Sequence, residues 1–199
     1  MAKTVITRDD ILSIEDYTTI RRQRRTEVSA IKRDRRVSVG PDATFYFESY
    51  DTMVQQIQEM LYIERGGDAQ LADELAAYNP LIPNGRELVA TFMIEIEDEV
   101  RRQQTLAKLG GIEGTITLDI AGESVSALPE TDQERTTADG KASSVHFLHF
   151  PLSPMAIAKF KTPDARAVLA IDHQQYAHMA VLPERVRAAL ATDLDGLKF

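Results

Sequence analysis

Between Glu87 and Glu97 the chain alternates with period two. Leu88, Ala90, Phe92, Ile94 and Ile96 fall on one face, and Val89, Thr91, Met93, Glu95 and Glu97 on the other. Only a strand with one wholly apolar side satisfies that pattern, so the fold needs a sheet around this segment and a second layer to cover it. The other face turns acidic towards its end, where a strand leaves a core.

Neighbours for that strand are legible on both sides of it. Val37 and Val39, the turn Gly40-Pro41-Asp42, then Phe45 and Phe47 predict a hairpin. A second hairpin is predicted from Thr115 to Ile120 and Ser124 to Leu128, about Ala121-Gly122-Glu123, with further strands at Val145 to Leu152 and Ala167 to Ile171. Helical spacing recurs between them. Ser13 with Asp16 opens a helix through Ile14, Tyr17, Ile20, Val28 and Ile31; Asp51 or Thr52 caps another with Met53, Val54, Ile57, Met60 and Leu61 on one face. Asp68 to Tyr78, Asp98 to Leu109, a short helix after Ser153-Pro154, and a last one from Pro183 complete the set. Hairpins interspersed with helices predict an α+β fold, a mainly antiparallel sheet packed with helices, rather than a doubly wound parallel one. The expected organisation is a single domain over 1–199, with a helical part at about 7–80 and a sheet-rich part at about 86–199. Pro129 to Ser144, with no large apolar residue, is read as a mobile loop.

With 199 residues the chain can bury a core without a disulfide or metal staple, and having no cysteine it excludes iron-sulfur ligation and thiol chemistry. The opening MAKTVITRDDILSIEDY contains no apolar h-region, and no apolar run of membrane-spanning length follows. A soluble cytoplasmic protein with no membrane association is expected. Charge is uneven: Arg21 to Arg36 holds eight basic residues against Glu27 and Asp34, a net +6, so the remainder of a chain at −8 carries −14. One reading is a solvated helix face pairing with acidic groups of this protomer or a partner; the other is a phosphate or RNA contact. With no aromatic platform interleaved, nucleic acid is not the expected partner.

The series RRVSVGP, FE followed by DT, QIQEML with Glu64, YNPLIPNG, TFMIE and DHQQY resembles a bacterial family of proteins of unknown function, over roughly Ile11 to Leu190. The resemblance implies genes neighbouring those of rubrerythrin-like proteins and of iron-sulfur proteins like heterodisulfide reductase subunits. A link to redox or peroxide-stress metabolism, and a redox protein partner, follow from it.

HExxH, a P-loop, GxGxxG, GxSxG and CxxC are absent, and no Glu lies three residues before any His, which removes the Glu-x-x-His element of ferritin-like di-iron sites. His146-x-x-His149 points to opposite faces of a strand. Candidate ligand-binding residues are therefore Glu48, Glu59, Glu64, Glu95, His173 and Tyr176: carboxylates in apolar settings, and polar groups just past a strand end. Glu59, Glu64 and His173 are the metal-ligand candidates. Two readings remain open, an accessory or interaction protein, expected as a homodimer, and a metal-binding protein or metal-dependent enzyme. They separate on whether these groups converge on one cleft or each pair with an arginine.

Overall fold

The computed structural model describes residues 3–130 and 141–195. The fold is α+β, with two antiparallel sheets. In the first, β1 (Arg36–Val39), β2 (Ala43–Phe47), β3 (Glu87–Ile94), β7 (Val145–Pro151) and β6 (Leu128–Pro129) lie side by side. In the second, the order is β5 (Glu123–Ser126), β4 (Ile116–Ile120), β8 (Ala167–His173) and β9 (Tyr176–Val181). The alternating segment is the central strand of the first sheet, pairing β2 on one side and β7 on the other. It ends at Ile94, so Glu95 lies just beyond it, its amide bonded to the Asp42 carbonyl.

Register turns alternation into layers. Val37, Phe45, Phe92 and His146 stand in one row across the first sheet, with Phe45 and Phe92 ring centroids 4.8 Å apart. Leu118 and Leu169 stand in a row of the second sheet, and both rows belong to one buried core. Ile157 and Phe160 of α5 (Pro154–Lys161) and Val186 and Leu190 of α6 (Glu184–Ala191) complete it. The other face of the first sheet is covered by helices. Met53, Ile57 and Leu61 of α2 (Tyr50–Glu64) and Leu71 of α3 (Gly67–Tyr78) pack with Val89 of β3. Outermost lies α1 (Ile14–Arg33), against α2, with α4 (Glu99–Leu106) after β3.

Several local expectations shift. The cap of α2 is Ser49, whose hydroxyl accepts from Thr52 while the Thr52 hydroxyl accepts from the Ser49 amide; neither Asp51 nor Thr52 takes the capping position itself. DHQQY, read as a strand end with functional groups, is a tight turn joining β8 to β9, a strand the pattern did not reveal. The hairpin at Arg36 to Phe47 pairs with β3, so the helical and sheet-rich parts share a sheet. Most of the polar segment Pro129 to Ser144 lies outside the described residues, although Pro129 is in β6 and Ala142 is buried.

Candidate functional site

The basic run occupies α1, and its geometry follows from helical spacing. Ser13 caps the helix by accepting from the Asp16 amide, and of its twenty residues only Tyr17 and Val28 are buried. On one side Arg21 turns inward. Its Nε and Nη2 reach Glu59 Oε1 and Oε2 at 2.9 and 2.8 Å, and Tyr17 donates to the same carboxylate at 2.5 Å. The Arg21 guanidinium holds the Glu59 carboxyl below the usual carboxylate range. Beside it Arg22, Arg25 and Arg33, exposed and without an acidic partner in ion-pair contact among the described residues, line an open groove of about 850 Å³ with Arg21, Thr18, Ser29 and Tyr62.

A second recess lies between the helices and the outer face of the first sheet. The register places Tyr46, Thr91 and Phe147 in one row and Met93 beside Val145 in the next. These rows form one wall of a cleft of about 350 Å³, and Met53, Gln56 and Tyr78 form the opposite wall, with Lys32 and Arg35 beside them. Glu48 lies in it, 7% exposed. The Thr52 and Thr91 hydroxyls each donate to its carboxylate at 2.7 Å. Arg35, equally buried, gives Nε to the Phe47 carbonyl, Nη2 to the Glu48 carbonyl, and an ion pair to Asp193.

The sequence-predicted residues are dispersed rather than joined. Glu48 lines the cleft, Glu59 faces Arg21, and Glu64, exposed at the end of α2, accepts from Gln70. Glu95 accepts from Tyr46 at 2.8 Å and lies 3.5 Å from Arg36. His173 Nε2 is 3.3 Å from the Gly110 carbonyl. The Tyr176 hydroxyl accepts from the amides of Asp42 and Ala43 and donates to the Val39 carbonyl, tying β9 to the first hairpin. His146 and His149 do point to opposite faces, the first fully buried and the second 3.0 Å from Glu87. Among the described residues no group of three His, Cys, Asp or Glu side chains is placed to hold a metal ion, and no helix is long and apolar enough to cross a membrane.

Sequence reasoning named Thr52 only as a helix cap, and passed over Thr91 and Asp193. The first two were readable as hydroxyls four residues after Glu48 and on the polar side of β3, but Asp193 follows α6 with nothing local to mark it.

Residues 5–194 match the family model described as a protein of unknown function, DUF3501. The chain belongs to that family. This chain is also similar to the crystal structure of a novel protein of unknown function from Burkholderia pseudomallei K96243, 41% identical, with a TM-score of 0.89 over 96% of this chain and 100% of that one. No curated protein matches. Family membership therefore fixes the fold without assigning chemistry to the groove or the cleft.

Proposed function

We propose that this is an accessory binding protein rather than an enzyme, and that it holds a partner protein through the basic face of α1. The observation that carries this is a helix about 30 Å long with only two buried residues and, along one groove, three exposed arginines that have no acidic side chain in ion-pair contact among the described residues. A helix so polar is anchored by little apolar burial and leaves most of its surface for association. Charge complementarity makes the occupant an acidic segment. RNA fits less well: Tyr62, the aromatic side chain in the groove, is already covered by Arg21 and Arg65, 4.4 and 5.7 Å from its centroid, so no ring is left for base stacking. The resemblance to proteins encoded beside rubrerythrin-like and heterodisulfide-reductase-like proteins makes a redox protein the partner class we favour. A one-domain protomer working as a cytoplasmic homodimer is part of the same proposal.

The test is fluorescence anisotropy with a labelled Glu/Asp-rich peptide and a labelled single-stranded RNA as probes. Wild-type protein is compared with the variant carrying Arg22→Glu, Arg25→Glu and Arg33→Glu. The peptide should bind, weaken as salt rises, and fail to bind the charge-reversed variant, whose circular dichroism should be unchanged. Tighter binding of RNA than of peptide would give the groove to nucleic acid. A shift in sedimentation coefficient on charge reversal would give it to a second copy of the chain.

A further inference from the structure

The cleft beside β3 contains a charge arrangement that the basic face of α1 does not explain. Glu48 is nine-tenths buried there and is held in place by two threonine hydroxyls. No basic side chain lies within ion-pair distance of its carboxylate among the described residues. Arg35, which lines the same cleft, has its guanidinium committed to Asp193 and to two backbone carbonyls. A buried carboxylate that meets hydroxyl donors but no cation is poised to take one from outside. Lys32, by contrast, is exposed and without an acidic partner in ion-pair contact among the described residues, and it also lines the cleft. Between these opposite charges the walls are apolar or aromatic: Phe147, Met93, Val145, Met53 and the rings of Tyr46 and Tyr78. The volume of about 350 Å³ is at the small end of ligand pockets.

We propose that this cleft binds a small amphipathic zwitterion of the amino-acid class. Its ammonium meets Glu48, its apolar body lies along Phe147, Met93 and Met53, and its carboxylate reaches Lys32. The aromatic walls add cation-π attraction for the ammonium. The threonines orient the carboxylate: with one oxygen accepting from Thr52 and the other from Thr91, Glu48 is fixed before the ligand arrives and loses little side-chain freedom on binding. None of these residues except Lys32 belongs to α1, and Lys32 does not line the basic groove, so this site stands or falls independently of partner docking.

Isothermal titration calorimetry with phenylalanine, phenethylamine and hydrocinnamate tests the assignment on the full chain. These probes carry both charges, the ammonium alone and the carboxylate alone on the same apolar body. Wild-type protein should bind phenylalanine most tightly and hydrocinnamate least. Glu48→Gln, which keeps an oxygen acceptor for one threonine and presents an N–H that the other hydroxyl can accept, should weaken phenylalanine and phenethylamine at least about tenfold, the equivalent of one charge-assisted hydrogen bond, and leave hydrocinnamate unchanged. Lys32→Ala, at an exposed position, should weaken phenylalanine and hydrocinnamate but not phenethylamine. If wild-type protein binds none of the three, or binds hydrocinnamate more tightly than phenethylamine, the proposal is overturned. The affinity order is read on wild-type protein, so it decides the matter even where Glu48→Gln does not fold.

Discussion

Arg21 and Glu59 meet as two parallel hydrogen bonds between α1 and α2, 2.9 and 2.8 Å long. This pairing turns a helix carboxylate into the anchor of an otherwise weakly buried helix, because a planar guanidinium and a carboxylate match in geometry as well as charge. Tyr17 and Gln55 complete the cluster, Gln55 Nε2 donating to the Tyr17 hydroxyl at 2.6 Å.

Tyr17→Phe should therefore cost about 2 kcal/mol in urea denaturation, the loss of two internal hydrogen bonds, one donated to Glu59 and one accepted from Gln55. The wild-type phenol has a second signature. Burial first, and then the bond to Glu59, push it up to about 12 from an ordinary 10.0. The folded state keeps a proton that the unfolded chain releases, so this contribution is complete below the unfolded value and disappears as pH rises towards the folded one. The wild-type advantage over Tyr17→Phe should shrink between about pH 10 and about pH 12; an advantage that grew over that interval would contradict the assignment.

His149 should make stability pH-dependent near neutrality. Its Nδ1 is 3.0 Å from Glu87 and its Nε2 3.4 Å from Glu130, and the bond to Glu87 above all raises it from the ordinary 6.5. The folded state again holds the proton more tightly. The contribution is full below the unfolded value and falls as pH climbs through the folded one. Melting temperatures of wild type and His149→Gln should differ most in mildly acidic buffer and converge in alkaline buffer.

Gly40 and Tyr176 fix the contact between the first hairpin and β9. Gly40 has φ +73°, and a Cβ placed on it would come within 2.6 Å of the His178 ring and 2.7 Å of the Tyr176 hydroxyl. Gly40→Ala should be strongly destabilising, with strain and collision adding. Tyr176→Phe leaves the amides of Asp42 and Ala43 without that hydroxyl, a loss on the order of 3 kcal/mol by chemical denaturation. A near-neutral result for both substitutions would mean that β9 is not held by this contact.

How much of this the sequence contained depends on the range over which each feature is decided. The alternation at Leu88 to Ile94 is local, and it placed the central strand correctly, as the valine and phenylalanine pairs placed the hairpin beside it. β9 was hidden because Tyr176 to Val181 is apolar at all but His178 yet mostly exposed, so its sequence has no apolar–polar alternation to read. The carboxylates are harder still. Glu59 was expected either at a metal or against an arginine, and what decides is that Arg21, thirty-eight positions earlier, faces it from another helix. Glu48 and Thr91 meet across forty-three positions because two strands pair in one register. Composition can nominate such residues; only topology brings them together or separates them.

The Arg35–Asp193 pair yields the sharpest asymmetry. Both side chains are largely buried, and burial raises the Asp193 carboxyl above its ordinary 3.8 despite the opposing pull of Arg35. Desolvation thus outweighs attraction for the aspartate, as it often does for buried ions. Asp193→Asn removes the costly charge while leaving an oxygen for Arg35 to donate to, and should cost about 1 kcal/mol or less. Arg35→Met strands the carboxylate and also unpairs the carbonyls of Phe47 and Glu48, so it should cost about 3–5 kcal/mol. The double variant should recover part of that loss, since Asn in place of the stranded carboxylate no longer buries a charge. A denaturation series over the four proteins checks this, and equal losses for the two single variants would show that the pair acts through its mutual attraction alone.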